Sequence, residues 1–309
     1  MKTAFVFPGQ GSQKVGMGRD LCEQFEEART VFAEASDALG YDLQGLCFNG
    51  PKEELDKTFR TQPCLLTASI AVFRVLSSKG ILPDAVAGHS LGEYSAITAA
   101  GVLPFRDAVV LTEKRGTFMQ EAVPEGRGLM AAILGLERKQ VDDICLSVRS
   151  GYVSPANYNC PGQIVIAGER QAVEDAMKLA KEAGAKRALP LVVSAPSHCT
   201  LMVGASNRLL DLLNTMELRN PLVPVMNNAD ALFLSNADSI KTSLVRQLNS
   251  PLLWEDSIRN MAVSGIDTFV EIGPGKVLSG LIKRIEPEAK IFNVEDRESL
   301  NKTLEALKS

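Results

Sequence analysis

The sequence predicts an α/β protein whose parallel sheet is interrupted by a small inserted βαββαβ unit. Three observations carry this. The first half alternates short apolar runs with longer stretches of helical period, the pattern of βαβ units. From about Gly128 to Val193 the order becomes strand, helix, strand, strand, helix, strand, the ferredoxin-like split unit, and the earlier alternation then resumes. The chain has 309 residues, 45% hydrophobic and 23% charged, which suits one large domain carrying a smaller one and is too apolar for disorder.

The elements follow in order. Thr3–Phe7 reads as a strand that ends in the loop Pro8-Gly9-Gln10-Gly11-Ser12-Gln13. Helices are expected around Leu21–Leu39 and Cys64–Lys79, the second broken at Gly80. Asp84–Gly88 is a short strand, and Leu91–Ala100 a helix closed by Gly101 with Pro104 beyond it. A further helix presents Val109, Leu111, Arg115 and Phe118. The small unit has strands Leu129–Leu134, Tyr152–Ala156, Gln163–Ala167 and Arg187–Val193, with helices Glu137–Val148 and Gln171–Ala183. Turn-rich joints at Pro124-Glu125-Gly126 and Ser194-Ala195-Pro196 bound it, so the expected domains are 126–196 and, as one body, 1–125 with 197–309. The remainder reads as helix Ser206–Met216, strand Val223–Met226, helices Ile240–Leu248 and Leu253–Val263, strand Thr268–Ile272, helix Val277–Ile285 and strand Ile291–Val294.

Several function classes are excluded early. Lys and Arg number 33 against 37 Asp and Glu, a formal net charge of −4, so no global positive field favours nucleic acid or an anionic membrane, and neither partner is expected. The longest stretches free of charged side chains, 150–168 and 188–207, are each broken by two prolines and suit no membrane span. The apolar run before Pro8 is too short for a signal-peptide core. Six cysteines with no CxxC pair argue for reduced thiols and a cytoplasmic location.

Chemistry concentrates at Gly88-His89-Ser90-Leu91-Gly92, a G-x-S-x-G sequence between a predicted strand and a predicted helix. A sharp turn there leaves no room for side chains two residues either side of the serine, so Ser90 Oγ projects while the helix start offers N–H groups to a developing oxyanion. The alternative is a glycine-rich turn whose serine only caps the helix. A serine nucleophile needs a base, and the chain has two histidines. His89 neighbours Ser90 on a turn where adjacent side chains diverge; His198, past the small unit, is the better base. No carboxylate lies beside His198 in sequence to orient it. With no HExxH and no second histidine at ligand spacing, no metal is expected.

The glycine loops at Gly9–Lys14 and Gly273–Lys276 are weak nucleotide signatures. Gly9-Gln10-Gly11 reads better as small residues that let a backbone N–H approach a ligand. Arg115 has a plain reading, solvated or paired with an acid such as Glu113, and a ligand-binding one. Met119, Met130 and Met202 read as core filling.

Together these residues resemble the malonyl-CoA:acyl carrier protein transacylase family of type II fatty acid synthesis. The likeness covers essentially the whole chain: Phe5–Gln13 (FVFPGQGSQ), Gly88–Ala96 (GHSLGEYSA), Arg115–Met119, Asn157-Tyr158-Asn159 with Pro161-Gly162-Gln163, Ser194–His198, Arg246-Gln247-Leu248 and Glu271–Val277. The resemblance implies an α/β-hydrolase-like large domain with a ferredoxin-like insert. It implies Ser90 as nucleophile, His198 as base, backbone N–H groups of Gln10 and Leu91 as the oxyanion hole, and Arg115 binding the malonyl carboxylate. It also implies Gln247 and Asn157 as substrate-binding positions, with a main-chain carbonyl near Gln247 orienting the histidine. Malonyl-CoA and acyl carrier protein are the implied partners, exchanging the acyl group by a ping-pong route with no bound cofactor. A general serine esterase or thioesterase would share Ser90 and His198 but have no use for Arg115. A non-catalytic carrier-protein docking subunit would need neither. An acidic carrier protein meeting a net-negative enzyme requires a local basic patch, for which Lys186-Arg187 and Lys283-Arg284 are the candidates.

Overall fold

A computed structural model describes residues 2–124, 126–191 and 195–308. Along the chain run β1 (Thr3–Phe7), α1 (Arg19–Gln24), α2 (Glu26–Leu39), α3 (Leu43–Asn49), α4 (Lys52–Leu55), α5 (Thr58–Ser78), β2 (Ala85–Gly88), α6 (Leu91–Ala99) and α7 (Phe105–Ala122). Next come β3 (Gly128–Leu134), α8 (Arg138–Ser147), β4 (Val153–Cys160), β5 (Gln163–Glu169), α9 (Arg170–Glu182) and β6 (Arg187–Pro190). The chain then forms α10 (Val203–Asn214), β7 (Val225–Met226), β8 (Phe233–Leu234), α11 (Ala237–Gln247), α12 (Trp254–Val263), β9 (Thr268–Ile272), α13 (Val277–Ile285), β10 (Lys290–Val294) and α14 (Arg297–Lys308).

Two sheets organise these elements. The larger has the order β10-β9-β1-β2-β7-β8, and all its neighbours are parallel except the β7–β8 pair. β1 lies at its centre, wholly buried, as a run without alternation requires. Its residues divide by the period of two: Phe5 and Phe7 enter the main core with α2, α5, α6 and α7, while Ala4 and Val6 face Trp254 and Ile258 of α12 and Leu278 and Ile282 of α13. The register sets Phe7 opposite Gly88. The loops leaving β1 and β2 therefore emerge side by side at the carboxyl edge of the sheet, where open α/β sheets place their sites.

The smaller sheet is antiparallel in the order β4-β5-β3-β6. α8 and α9 bury Val141, Cys145, Val173 and Ala176 on one face of it. α8 starts where the sequence provides a capping box, the Glu137 N–H donating to Gln140 Oε1 at 2.9 Å. Backbone bonds splice β4 to the larger body: Leu252 N–H to Ala156 O at 2.8 Å and Tyr158 N–H to Leu252 O at 2.9 Å. Arg138 pairs with Asp256 and stacks on Tyr158, and Arg284 donates to Gln163 Oε1 at 2.9 Å and Pro161 O at 2.6 Å. Arg284 is thus committed to joining α13 to the β4–β5 turn.

Some expectations change. The helix expected over Leu21–Leu39 is two, because Phe25 adopts extended backbone at φ −127° and ψ 129°. α5 begins six residues before Cys64 and contains Pro63, which gives up one helix hydrogen bond in a segment held by burial on nearly every side. α3, α4, β8 and α14 were not expected. Of the strand expected over Arg187–Val193, β6 ends at Pro190; Val192, Val193 and Ser194, like Glu125 of the first joint, lie outside the described residues. Among the described residues no helix is long and apolar enough to cross a membrane.

Candidate active site

The turn between β2 and α6 has the geometry the glycine spacing requires. Ser90 sits at φ 54° and ψ −108°, a conformation costly for a residue with a Cβ. A Cβ on Gly88 would fall 1.9 Å from the Gly92 carbonyl, and one on Gly92 would fall 1.9 Å from Phe7 O. Both positions are close backbone crossings that only glycine allows. Asn228 braces the turn: its Oδ1 accepts from the Ser90 N–H at 2.8 Å and its Nδ2 donates to Gly88 O at 2.7 Å. Leu91 opens α6, where first-turn N–H groups have no partner within the helix.

Ser90 Oγ lies 2.8 Å from His198 Nε2. His198 Nδ1 lies 2.8 Å from the backbone oxygen of Gln247, an acceptor only, so Nδ1 carries the proton and Nε2 is left to accept from the serine hydroxyl. The imidazole is buried, and desolvation with the nearby Arg115 charge pushes its pKa down to about 3. It is neutral at physiological pH. His89 points elsewhere: its Nε2 is 2.9 Å from Asn159 Oδ1 and its ring stands edge-on to Trp254.

Arg115 is 1% exposed, in the middle of α7. Its Nη1 donates to Gln62 Oε1 at 2.8 Å, and its Nη2 to Gln247 Oε1 at 3.0 Å and to Ser90 Oγ at 3.3 Å. The solvated reading fails because the side chain is buried, and the pairing with Glu113 fails because Glu113 pairs with Arg60 instead. Burial lowers the guanidinium pKa without leaving it neutral in any ordinary pH range. The side chain of Gln247 contributes as well as its carbonyl, its Nε2 donating to Ser90 O at 2.9 Å and Glu93 Oε2 at 2.8 Å.

A pocket of about 100 Å³ opens onto Ser90 and His198, with Gln10, Met119, Met130, Asn157, Leu191 and Ser197 in its wall. Met119 and Met130 therefore do more than fill the core, whereas Met202 lies in it fully buried. They occupy the parts of α7 and β3 that border the cavity, where a thioether packs and faces space at once. Asn157 is almost fully buried, and its Oδ1 meets no hydrogen-bond donor among the described residues. Lys186 and Arg187 are exposed at the start of β6, roughly 13–17 Å along the strand from Leu191 at 3.3 Å per residue, so they stand away from the pocket wall. Gly273, at φ 130°, brings the turn after β9 against Ser69 of α5, a packing role.

Sequence reasoning missed three residues of the site: Gln62, Glu93 and Asn228. The usable signals were polar residues in otherwise apolar surroundings, Gln62 before Pro63-Cys64-Leu65-Leu66 and Asn228 after Val225-Met226. Glu93, one turn beyond Ser90 in α6, is wholly buried, and desolvation raises its pKa to about 7.

An α/β body with a serine and histidine joined at a strand-to-helix turn, beneath a buried arginine, narrows the class, and residues 4–295 match the acyl transferase domain family. The chain is 50% identical over 309 residues to the malonyl CoA-acyl carrier protein transacylase of Haemophilus influenzae, covering 99% of each, and 49% identical over 310 residues to that of Bacillus subtilis, covering 99% of this chain and 98% of the relative. Among solved structures, a malonyl-transacylase in complex with its type II PKS acyl-carrier protein superposes with a TM-score of 0.97 at 50% identity, covering 99% of this chain and 100% of that one. The acyl carrier protein S-malonyltransferase of Vibrio cholerae gives a TM-score of 0.96 at 50% identity over 98% of this chain and 100% of the other. The chain belongs to the malonyl CoA-acyl carrier protein transacylase family.

Proposed function

We infer that the protein carries malonyl from malonyl-CoA to the phosphopantetheine thiol of an acyl carrier protein through a Ser90 ester. The observation that supports this reading best is the Arg115 guanidinium, buried, held by two amide oxygens and 3.3 Å from Ser90 Oγ. A malonyl group on Ser90 carries its free carboxylate two bonds beyond the ester carbonyl carbon, so a guanidinium this close to Ser90 Oγ can pair with it.

In the first half-reaction Ser90 Oγ attacks the thioester carbonyl while His198 Nε2 takes its proton. The oxyanion is met by backbone N–H groups that we assign to Gln10 and Leu91. Collapse expels coenzyme A, whose sulfur takes the proton from His198. The carrier-protein thiol then gives its proton to the same nitrogen and attacks the Ser90 ester; collapse returns the proton to Ser90. Arg115 pairs with the malonyl carboxylate throughout, and the backbone oxygen of Gln247 holds the imidazole in the tautomer both steps need. Asn157 offers its Oδ1, unpartnered among the described residues, to an N–H of the pantetheine arm. The chain's own groups suffice for every proton and bond, so no resident cofactor is invoked.

We assign the large sheet and its helices, 1–125 and 197–309, as an α/β-hydrolase-like domain, and the βαββαβ unit, 126–196, as a ferredoxin-like one. The parallel order around β1 and the antiparallel order β4-β5-β3-β6 support this. A cytoplasmic location is proposed on the six cysteines, all free and buried. An esterase would pass the acyl group to water. The deciding experiment loads the protein with malonyl-CoA, removes excess donor, and follows the acyl-enzyme with and without phosphopantetheinylated carrier protein. Decay only on addition of the carrier, with malonyl appearing on its thiol, is expected; equal decay to free malonate without it would favour the esterase.

A further inference from the structure

Gln247 has to face one way for Arg115 to be held, and nothing in an amide by itself decides which. Its Oε1 must point at Arg115 Nη2, a donor, and its Nε2 therefore points at Glu93 Oε2, 2.8 Å away. That same Oε2 accepts a second bond, from the backbone N–H of Asn228 at 3.1 Å. A backbone N–H cannot be turned round, so it pins Glu93 Oε2 as an acceptor. An acceptor there obliges Gln247 to present its NH2 group, which leaves oxygen for the guanidinium. We propose that Glu93 is a positioning residue for acyl selectivity, passing the fixed polarity of the Asn228 amide through the Gln247 side chain to Arg115.

The inference rests on the reading of Arg115 as the malonyl-carboxylate partner and names a residue behind it that touches neither substrate nor reacting atoms. Gln247 Nε2 has two acceptors, one for each of its N–H groups, Ser90 O at 2.9 Å and Glu93 Oε2; without an acceptor at position 93 one buried N–H loses its partner and Ser90 O alone holds the amide. The amide then shifts, its Oε1 no longer meets Arg115 Nη2 in line, and the guanidinium leaves its place near Ser90. The effect falls on an acyl group with a free carboxylate. The backbone oxygen of Gln247 continues to hold His198, because His198 is also tied by its own N–H to Leu248 O at 3.0 Å. The relay does not depend on whether Glu93 is ionised, since a proton on the carboxyl sits on Oε1 and leaves Oε2 with its two donors. Glutamine at the same position can also present an oxygen to both donors.

The test is the ratio of malonyl-CoA to acetyl-CoA loading of Ser90, measured by intact mass under single-turnover conditions. Glu93→Met, of matching length without an acceptor, is expected to lower the ratio at least tenfold, and Glu93→Gln to restore it to within threefold of the wild-type value. Glu93→Asp, which withdraws the carboxylate by one methylene, is expected to lower the ratio as the methionine variant does, and decides the matter should that variant not fold. Loss of both acyl groups by the same factor in the Met and Asp variants would overturn the proposal, as would a glutamine variant as poor as the methionine one. Absence of malonyl loading in the wild-type protein would instead defeat the underlying reading of the site.

Discussion

Replacing Arg115 by alanine separates a malonyl-reading site from a generic serine acyl site. The guanidinium sits 3.3 Å from Ser90 Oγ and has two NH2 groups on one edge, so a Ser90-linked malonyl carboxylate meets it in up to two charge-assisted bonds of ~1.5–3 kcal/mol each. Water filling the vacated space recovers part of that. We expect a net loss of about 3 kcal/mol, or roughly 10²-fold in malonyl loading. Acetyl has no carboxylate to leave unpaired, and its loading should stay within about threefold. Truncation also leaves the Gln62 and Gln247 oxygens without their donor, a stability cost of ~1–3 kcal/mol each that urea unfolding reports separately from the loading rates. Arg115→Lys should recover only part of the malonyl rate, because an ammonium cannot reproduce the planar fork. The assay is stopped-flow loading with each acyl-CoA, quenched and read by intact mass. Equal losses for malonyl and acetyl in the alanine variant would refute the assignment and return Arg115 to a packing role.

Other expectations follow from the same geometry. His198→Ala should slow turnover by roughly 10²–10⁴-fold and His89→Ala by less, because only the first ring reaches Ser90; equal losses in a steady-state transfer assay would contradict the side-chain directions. Glu93 has a folded pKa near 7, above its ordinary 4.5, so its contribution to stability is present below pH 4.5 and lost as pH rises through 7. Urea midpoints from pH 5 to 8.5 should fall for the wild type relative to Glu93→Gln, by about 2–3 kcal/mol in all; parallel curves would show the carboxyl to be unperturbed. His198 has the opposite sign: with its pKa depressed to about 3, its contribution is present above pH 6.5 and is lost as pH falls below that. Gly92→Ala should destabilise by more than about 3 kcal/mol in urea, since its Cβ would fall 1.9 Å from Phe7 O, a backbone atom with nowhere to go; a near-wild-type midpoint would mean the turn is looser than described.

Much of this molecule was legible because its signals are local. The strand over Thr3–Phe7, the glycines flanking Ser90 and the helix closed by Gly101 are each dictated within a few residues by sterics or hydrogen bonding. The split at Phe25 was not, since one extended residue between two helix-forming stretches leaves no mark on helical periodicity. α5 runs through Pro63 because burial outweighs one lost backbone bond, which sequence alone cannot weigh. α14 could have been found: Leu300, Leu304 and Leu307 follow helical spacing. At the site, the serine, the histidine and the arginine stand out by type and scarcity. Their supports do not. Gln62, Glu93 and Asn228 lie between 31 and 166 positions apart and meet only because the sheet order sets β2, β7 and the ends of α5 and α11 around one turn. Polar residues whose partners are far along the chain carry no spacing that announces them.

The central claim is that malonyl passes through Ser90, and one measurement addresses it most directly. The protein is mixed with malonyl-CoA, quenched in acid and analysed by intact mass and peptide mapping, beside Ser90→Ala treated identically. The account predicts one added malonyl group in the wild type, mapped to Ser90, and none in the variant. A malonyl adduct that survives in Ser90→Ala, or that maps to another residue in the wild type, would contradict it.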